Sequence, residues 1–235
     1  MTQLFPEEER LVSSAVEARR KEFATVRMCA RSALADIGMP PAPLLPGPQG
    51  APIWPAGVVG SMTHCTGYRA AAVARAHDMQ AVGVDAEPNA PLPDGLLALV
   101  TVSAERSWLP EARASRPDVA WDRVLFSLKE SVYKAWYPLT RRVLDFGDIE
   151  ARIDIGGGSF TATLRVPAPT PGGARHPALE GGWLVRDGLI ITATSVPTAA
   201  RRVLGGGTSD PPPRNMRNAG LPAWLLRGPR TCSGS

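Results

Sequence analysis

Lysine is nearly missing from this chain of 235 residues: against 23 arginines it has only Lys21, Lys129 and Lys134. Such a bias fits a GC-rich coding sequence, and against it two lysines in one short stretch stand out as specific. Cysteine is scarce too. Cys29, Cys65 and Cys232 are odd in number and show no metal-ligand spacing, which excludes a disulfide framework and a zinc site and fits a reducing cytoplasm. No run of about 18 apolar residues exists, so a transmembrane helix is excluded. The acidic start, Met1 to Glu9, lacks the basic and apolar regions of a signal peptide. There is no Gly-x-x-x-x-Gly-Lys-Ser/Thr loop, no Gly-x-Gly-x-x-Gly after a strand and no Gly-x-Ser-x-Gly elbow. The net charge of +4 misleads. The last 35 residues hold six arginines against one aspartate, a net +5, so residues 1–200 carry −1. A near-neutral body argues against DNA as a partner, though the arginine-rich tail keeps it open.

What remains is an ordinary apolar fraction of 44%, enough for a sizeable core in one or two domains. The apolar spacing predicts helix over residues 7–37, ended by Gly38 and Pro40. A Pro/Gly-rich loop runs from Pro40 to Pro55. Strands are predicted at Val58–Thr63, Arg69–Ala76 and Gln80–Asp85. Leu96–Val100 is ambiguous. Ser103 is read as the N-cap of a short helix, with Arg106 at the capping-box position. Trp121–Tyr137 is an amphipathic helix with Val124, Leu125, Leu128, Val132 and Ala135 on one stripe, and Pro138 is expected to close it. Strands follow at Ile149–Ile155, Ser159–Val166, Trp183–Val185 and Leu189–Val196, the last two joined by a turn at Arg186-Asp187-Gly188. Helix plus antiparallel strands thus occurs twice. The fold class expected is α+β, in two similar halves at 1–117 and 118–200. Residues 201–235 are an Arg/Gly/Pro-rich tail expected to be disordered.

Two segments carry the chemistry. In Gly83-Val84-Asp85-Ala86-Glu87, the period of two puts Asp85 and Glu87 on one face at the end of a strand. In Phe126 to Trp136, Lys129, Glu130 and Lys134 lie on one helix, with Glu130 and Lys134 four apart. Three carboxylates suit a hard cation such as Mg²⁺, and lysines beside them suit phosphates. The combination reads as phosphoryl chemistry on a diphosphate. Arg20, Arg27 and Arg31 form a basic stripe on the first helix, with Arg19 on the adjacent face, and His64 follows a strand.

Together these segments resemble the 4′-phosphopantetheinyl transferases of the surfactin-synthetase type. That family is marked by Gly-x-Asp-x-Glu, matched at Gly83 to Glu87. It is also marked by Phe-x-x-Lys-Glu-x-x-x-Lys-Ala, matched at Phe126 to Ala135, and by an upstream Ser-x-Thr-His, matched at Ser61 to His64. The likeness is strongest to actinobacterial members that serve polyketide, fatty-acid and siderophore pathways. It implies a monomer of two similar α+β halves with coenzyme A in the cleft between them. The implied reaction moves the phosphopantetheine arm to a serine of an apo acyl or peptidyl carrier protein and leaves adenosine 3′,5′-bisphosphate. By position, Asp85, Glu87 and Glu130 would hold Mg²⁺ (or Mn²⁺). Glu130, shared between metal and helix, is the candidate base, directly or through water; if it is a tight metal ligand its basicity falls and a metal-bound water is the better candidate. Lys129 and Lys134 would contact the phosphates, with Lys134 at the leaving group. Ser61, His64, Arg19 and Arg27 would contact coenzyme A, the arginines at the 3′-phosphate.

One departure stands out. Related actinobacterial members carry lysines in the loop where this chain has Pro46-Gly47-Pro48-Gln49, so a weaker dependence on the 3′-phosphate is expected. Arg69, Arg75, Arg113, Arg116 and Arg123 are the basic residues available to an acidic carrier helix. Two other readings compete. A metal-dependent nuclease or phosphohydrolase shares the Asp-x-Glu pattern, and a coenzyme A or carrier-protein binding module would keep the fold with an inert site.

Overall fold

The computed structural model describes residues 4–166 and 178–198. The expected disordered tail lies outside the described residues.

The predicted first helix is two: α1, Pro6–Val12, and α2, Glu17–Asp36. The break lets α1 fold back so that Glu8, fully buried, meets α2. Its carboxylate accepts from Arg31 Nη1 at 3.0 Å and from the Leu44 N–H at 2.8 Å. Local periodicity cannot show such a break, because both pieces share the same apolar spacing. On its other side α2 buries Ala30 and Leu34 against Leu44 and Val58.

β1 (Val58–Cys65) and β2 (Tyr68–Arg75) form an antiparallel hairpin. β3 (Met79–Pro88) follows, but it pairs with the last strand, not with β2. The second sheet is fully antiparallel, in the order β3-β7-β6-β5-β4. Its other strands are β4 (Ile149–Ile153), β5 (Ser159–Leu164), β6 (Ala178–Arg186) and β7 (Leu189–Pro197). Asp187 and Gly188 both have positive φ, 52° and 74°, so the expected turn is the type I′ hairpin that suits twisted strands.

β1 runs beside β3 in the same direction, joined by side chains. The Val84 and Ala86 N–H groups donate to the hydroxyls of Ser61 and Thr63, each at 3.1 Å. Those two hydroxyls stand in for the carbonyl partners that a continuous sheet would supply.

α5 (Trp121–Thr140) lies across the five-stranded sheet, and the predicted stripe, from Val124 to Ala135, is fully buried. Pro138 does not close the helix: it sits in the last turn, where its missing N–H removes a single bond. α5 reaches β3 at Gly83. A Cβ there would sit 1.8 Å from the Ser131 carbonyl oxygen, so only glycine lets the helix touch the strand. Farther up the helix, the Thr192 hydroxyl donates to the Ser127 carbonyl at 2.9 Å, which leaves it to accept from the Ser127 hydroxyl at 3.0 Å.

Leu96–Val100 is a short helix, α3, and α4 is Ser103–Ser115. The cap is shifted by one from the expected position. Ser103 is already helical, and Glu105, not Arg106, reaches back to accept from the Val102 N–H at 2.8 Å. No helix among the described residues is long and apolar enough to cross a membrane.

Candidate active site

β3 and α5 bring the two chemical segments face to face. Their contact at Gly83 sets the separation. Asp85, two residues on, is buried, and Lys134 crosses from α5 to meet it. Lys134 Nζ donates to Asp85 Oδ1 at 2.7 Å and to the Val84 carbonyl at 3.2 Å. Lys134 therefore ties helix to strand rather than pairing with Glu130 along the helix. Thr63 donates its hydroxyl to the same Asp85 oxygen at 3.1 Å. The second oxygen, Oδ2, is buried with no hydrogen-bond partner. A buried carboxylate oxygen left unmatched is costly unless a ligand completes it.

Glu87 shares the face with Asp85, as expected. Burial, then the Asp85 charge, pushes its pKa up; Arg123 opposes this. Glu130 is also pushed up, first by burial and further by Asp85 and Glu87, with Lys134 opposing. Asp85 thus raises Glu87, and both raise Glu130, which a divalent cation would relieve. Among the described residues no three His, Cys, Asp or Glu side chains stand within ligating reach as they lie. Glu87 is turned to Arg123, whose Nη1 is 3.0 Å away. The donors are hard oxygens, and Asp85 Oδ2 faces no partner, so the set fits Mg²⁺ or Mn²⁺ in chemistry.

A cleft of about 980 Å³ opens beside this cluster. Arg19, Arg27, Ser61, His64, Glu130 and Lys134 all line it, so six of the residues singled out in the sequence share one space. Their states differ. Arg19 is exposed and pairs with Glu22 at 2.9 Å. Arg27 is buried: its Nε donates to the Leu44 carbonyl at 3.0 Å, and burial pushes its pKa down to about 10. The basic stripe therefore turns in part toward Glu8 rather than to solvent. The Ser61 hydroxyl already accepts from Val84. His64 Nδ1 lies 3.0 Å from Glu22. Burial lowers its pKa, Glu22 opposes, and Arg19, Lys134 and Arg69 lower it further. The loop Pro46–Gln49 forms part of the cleft wall, and none of its side chains is charged.

Lys129 requires a correction. Its ammonium is fully buried and points away from the cleft. It donates to Glu105 and to the Val100 carbonyl, each at 2.8 Å, and to the Phe146 carbonyl at 3.1 Å. With all three protons engaged, it is not available to a phosphate. Five steps along a helix turn a side chain by about 140° net, and that rotation separates Lys129 from Lys134. Glu105 is the residue that sequence reasoning missed. Besides Lys129 and Val102 it accepts from the Ala151 N–H at 2.7 Å. Its short-range contact with Val102 marks it only as a helix cap; the Lys129 and Ala151 partners lie 24 and 46 residues away.

The basic patch considered for a carrier is also partly engaged. Arg123 is paired with Glu87, Arg116 with Asp118 and Arg69 with Glu22, and Arg75 donates to the Ile37 carbonyl.

Residues 7–74 match the family described as "4′-phosphopantetheinyl transferase N-terminal domain", and residues 81–171 match the "4′-phosphopantetheinyl transferase superfamily". The chain belongs to this superfamily. It is 59% identical over 197 residues to 4′-phosphopantetheinyl transferase Svp of Streptomyces mobaraensis, covering 84% of this chain and 80% of that protein. It is 46% identical over 196 residues to 4′-phosphopantetheinyl transferase Npt of Nocardia iowensis, covering 80% and 87%. It is also 46% identical over 192 residues to 4′-phosphopantetheinyl transferase PptT of Mycobacterium tuberculosis, covering 80% and 84%. The actinobacterial likeness expected from the motifs is thereby upheld, and so is the α+β fold with two similar halves. Both transferase segments, Gly83–Glu87 and Lys129–Lys134, fall within the second match.

Proposed function

We propose that this chain transfers the 4′-phosphopantetheine arm of coenzyme A to a serine of apo acyl or peptidyl carrier proteins, leaving adenosine 3′,5′-bisphosphate. The observation that carries this reading is the buried Asp85. One of its oxygens is fixed by Lys134 and Thr63 and the other is unmatched, beside a cleft large enough for coenzyme A. We assign the chain to the surfactin-synthetase type, as a cytoplasmic monomer with halves at 1–117 and 118–200. Both sequence segments of that type are complete here.

Asp85, Glu87 and Glu130 would hold the cation. Mg²⁺ bound there would neutralise the diphosphate and make its phosphorus more electrophilic. The residues of the chain do the rest. The Lys134 ammonium faces the diphosphate and stabilises the charge that grows on the leaving phosphate. Glu130, with its pKa raised, takes the proton of the attacking serine. His64 and Arg19 at the cleft wall bind the coenzyme A phosphates, and Arg27 supports the wall from its buried position.

Intact-mass analysis tests this. An apo carrier incubated with the protein, coenzyme A and Mg²⁺ is expected to gain one phosphopantetheine arm. The gain is expected to vanish with EDTA and with Asp85→Ala. A folded protein that modifies neither acyl nor peptidyl carriers would overturn the proposal. In that case retained carrier binding by Asp85→Ala would favour a binding module, and phosphoester turnover without coenzyme A would favour a hydrolase.

The uncharged Pro46–Gln49 wall predicts comparable affinity for coenzyme A and dephospho-coenzyme A by calorimetry. A large loss on removing the 3′-phosphate would contradict it.

His64 gives a pH dependence. In the free protein its pKa is below the ordinary value of about 6.5, so it is neutral at pH 7. The unfolded chain then binds the proton more readily than the folded one. This contribution to stability is present above that value and lost as pH falls below it. A phosphate dianion beside the ring reverses the preference and draws a proton onto it. Coenzyme A binding is expected to take up a proton and to tighten from pH 8 to pH 6. Calorimetry in buffers of different ionisation heat reads the uptake, and His64→Gln should abolish it.

A further inference from the structure

Arg123 has no part of its own in the transferase reading, yet its guanidinium is anchored on three sides. Nη1 holds Glu87 Oε2 at 3.0 Å, Nε donates to the Ala90 carbonyl at 3.0 Å, and Nη2 donates to the Pro91 carbonyl at 2.9 Å. Both partners of the ion pair are mostly shielded, with side-chain exposures of 16% and 19%. Its position is therefore fixed by the strand end that follows Glu87, whether or not Glu87 stays paired.

The other two carboxylates are held differently. Asp85 keeps one oxygen on Lys134 and Thr63 and leaves the other unmatched. Glu130 lines the cleft beside Lys134. Of the three carboxylates, Glu87 is thus the one whose oxygen Arg123 holds. We propose that Arg123 is a positioning residue that sets the affinity of this site for its divalent cation, by holding Glu87 in an ion pair that the cation must displace. The inference rests on the reading of Asp85, Glu87 and Glu130 as the cation site.

Two consequences separate this role from a purely structural tether of Ala90 and Pro91. Removing the positive charge should strengthen cation binding, because three carboxylates would then be offset by Lys134 alone. Keeping the charge while losing the fork should not. Lysine is a point charge that can pair with Glu87 but cannot span both carbonyls as well.

The test is Mn²⁺ titration of the full chain, with and without coenzyme A, reading free Mn²⁺ by electron paramagnetic resonance. Folding of each variant is checked by circular dichroism. Arg123→Gln is expected to bind Mn²⁺ about tenfold more tightly than the unmodified protein, and Arg123→Lys within about twofold of it. In a Glu87→Gln background, Arg123→Gln should change the affinity less than about twofold, since the ion pair is already gone. Unchanged or weaker binding by Arg123→Gln would overturn the inference while leaving the cation site intact. So would an equal gain in the Glu87→Gln background. Absence of Mn²⁺ binding by the unmodified protein and every variant would overturn the cation reading and the inference with it.

Discussion

Lys129→Ala is expected to lose most of its stability, while Lys134→Ala loses the chemistry and, because it unpairs the buried Asp85, a smaller part of the stability. The two lysines are five apart in one helix and would be treated alike by any motif. Lys129 is fully buried, with its three protons on Glu105, Val100 and Phe146. Burial lowers its pKa, and the Glu105 charge opposes that. Removing it strands a buried carboxylate without its counter-charge, which costs about 3–5 kcal/mol. That is a large part of the total for a domain of ordinary stability. Replacing both partners by apolar residues, Lys129→Met with Glu105→Leu, should recover part of the loss. The recovery is incomplete because the Val102 and Ala151 N–H groups lose their acceptor. Lys134 is part-exposed at the cleft, and its loss should slow transfer by about 10²–10³-fold, the usual effect of deleting one group that stabilises developing charge. Urea unfolding beside carrier modification separates the two effects. A Lys129→Ala protein of unchanged stability would contradict the burial argument.

Gly83→Ala should damage both stability and rate through one added methyl group. The new Cβ would lie 1.8 Å from the Ser131 carbonyl oxygen and 3.0 Å from the Ala135 nitrogen. Both are helix backbone, so no side chain can turn aside, and α5 must lift from β3. Overpacking of this kind costs about 1–3 kcal/mol or more. Glu130 and Lys134 sit on the turns that move, while Asp85 is on the strand that stays. A lift of even half an ångström lengthens the Lys134–Asp85 contact of 2.7 Å. Folded molecules are therefore expected to be slow as well as fewer. Gly147→Ala is the control, since a Cβ there meets nothing within 4 Å. Thermal melts with parallel mass analysis check both, and a Gly83→Ala protein with ordinary transfer would count against this account.

The arrangement of the candidate site was legible where it is local. Alternation along β3 placed Asp85 and Glu87 together, the stripe from Val124 to Ala135 oriented α5, and Asp187-Gly188 announced its hairpin. What stayed hidden is carried by partners distant in sequence. Lys129 read as a phosphate ligand because spacing on a helix does not say which neighbour meets each side. The answer lay with Glu105, whose own helix starts without a Ser, Thr, Asp or Asn cap to mark it. Arg123 read as surface because Glu87, 36 residues earlier, is invisible to its helical period. The split between α1 and α2 was hidden for the same reason. It exists to bring Glu8 to Arg31 and Leu44, and nothing between Val12 and Glu17 announces that meeting.

β3 ends near residue 88, but its hydrogen-bonded partner, β7, begins at Leu189. On the ribosome the strand that carries both acidic residues is therefore made about a hundred residues before the edge that will cover it. At roughly 5–20 residues per second that interval lasts several seconds. For that time β3 has β1 on one side, through two hydroxyls, and an open strand edge on the other. Open apolar edges recruit other chains. The glycine, the acids and the proline that ends β3 all discourage such pairing. The two acids proposed for the chemistry thus also make that edge a poor template for another chain until β7 arrives.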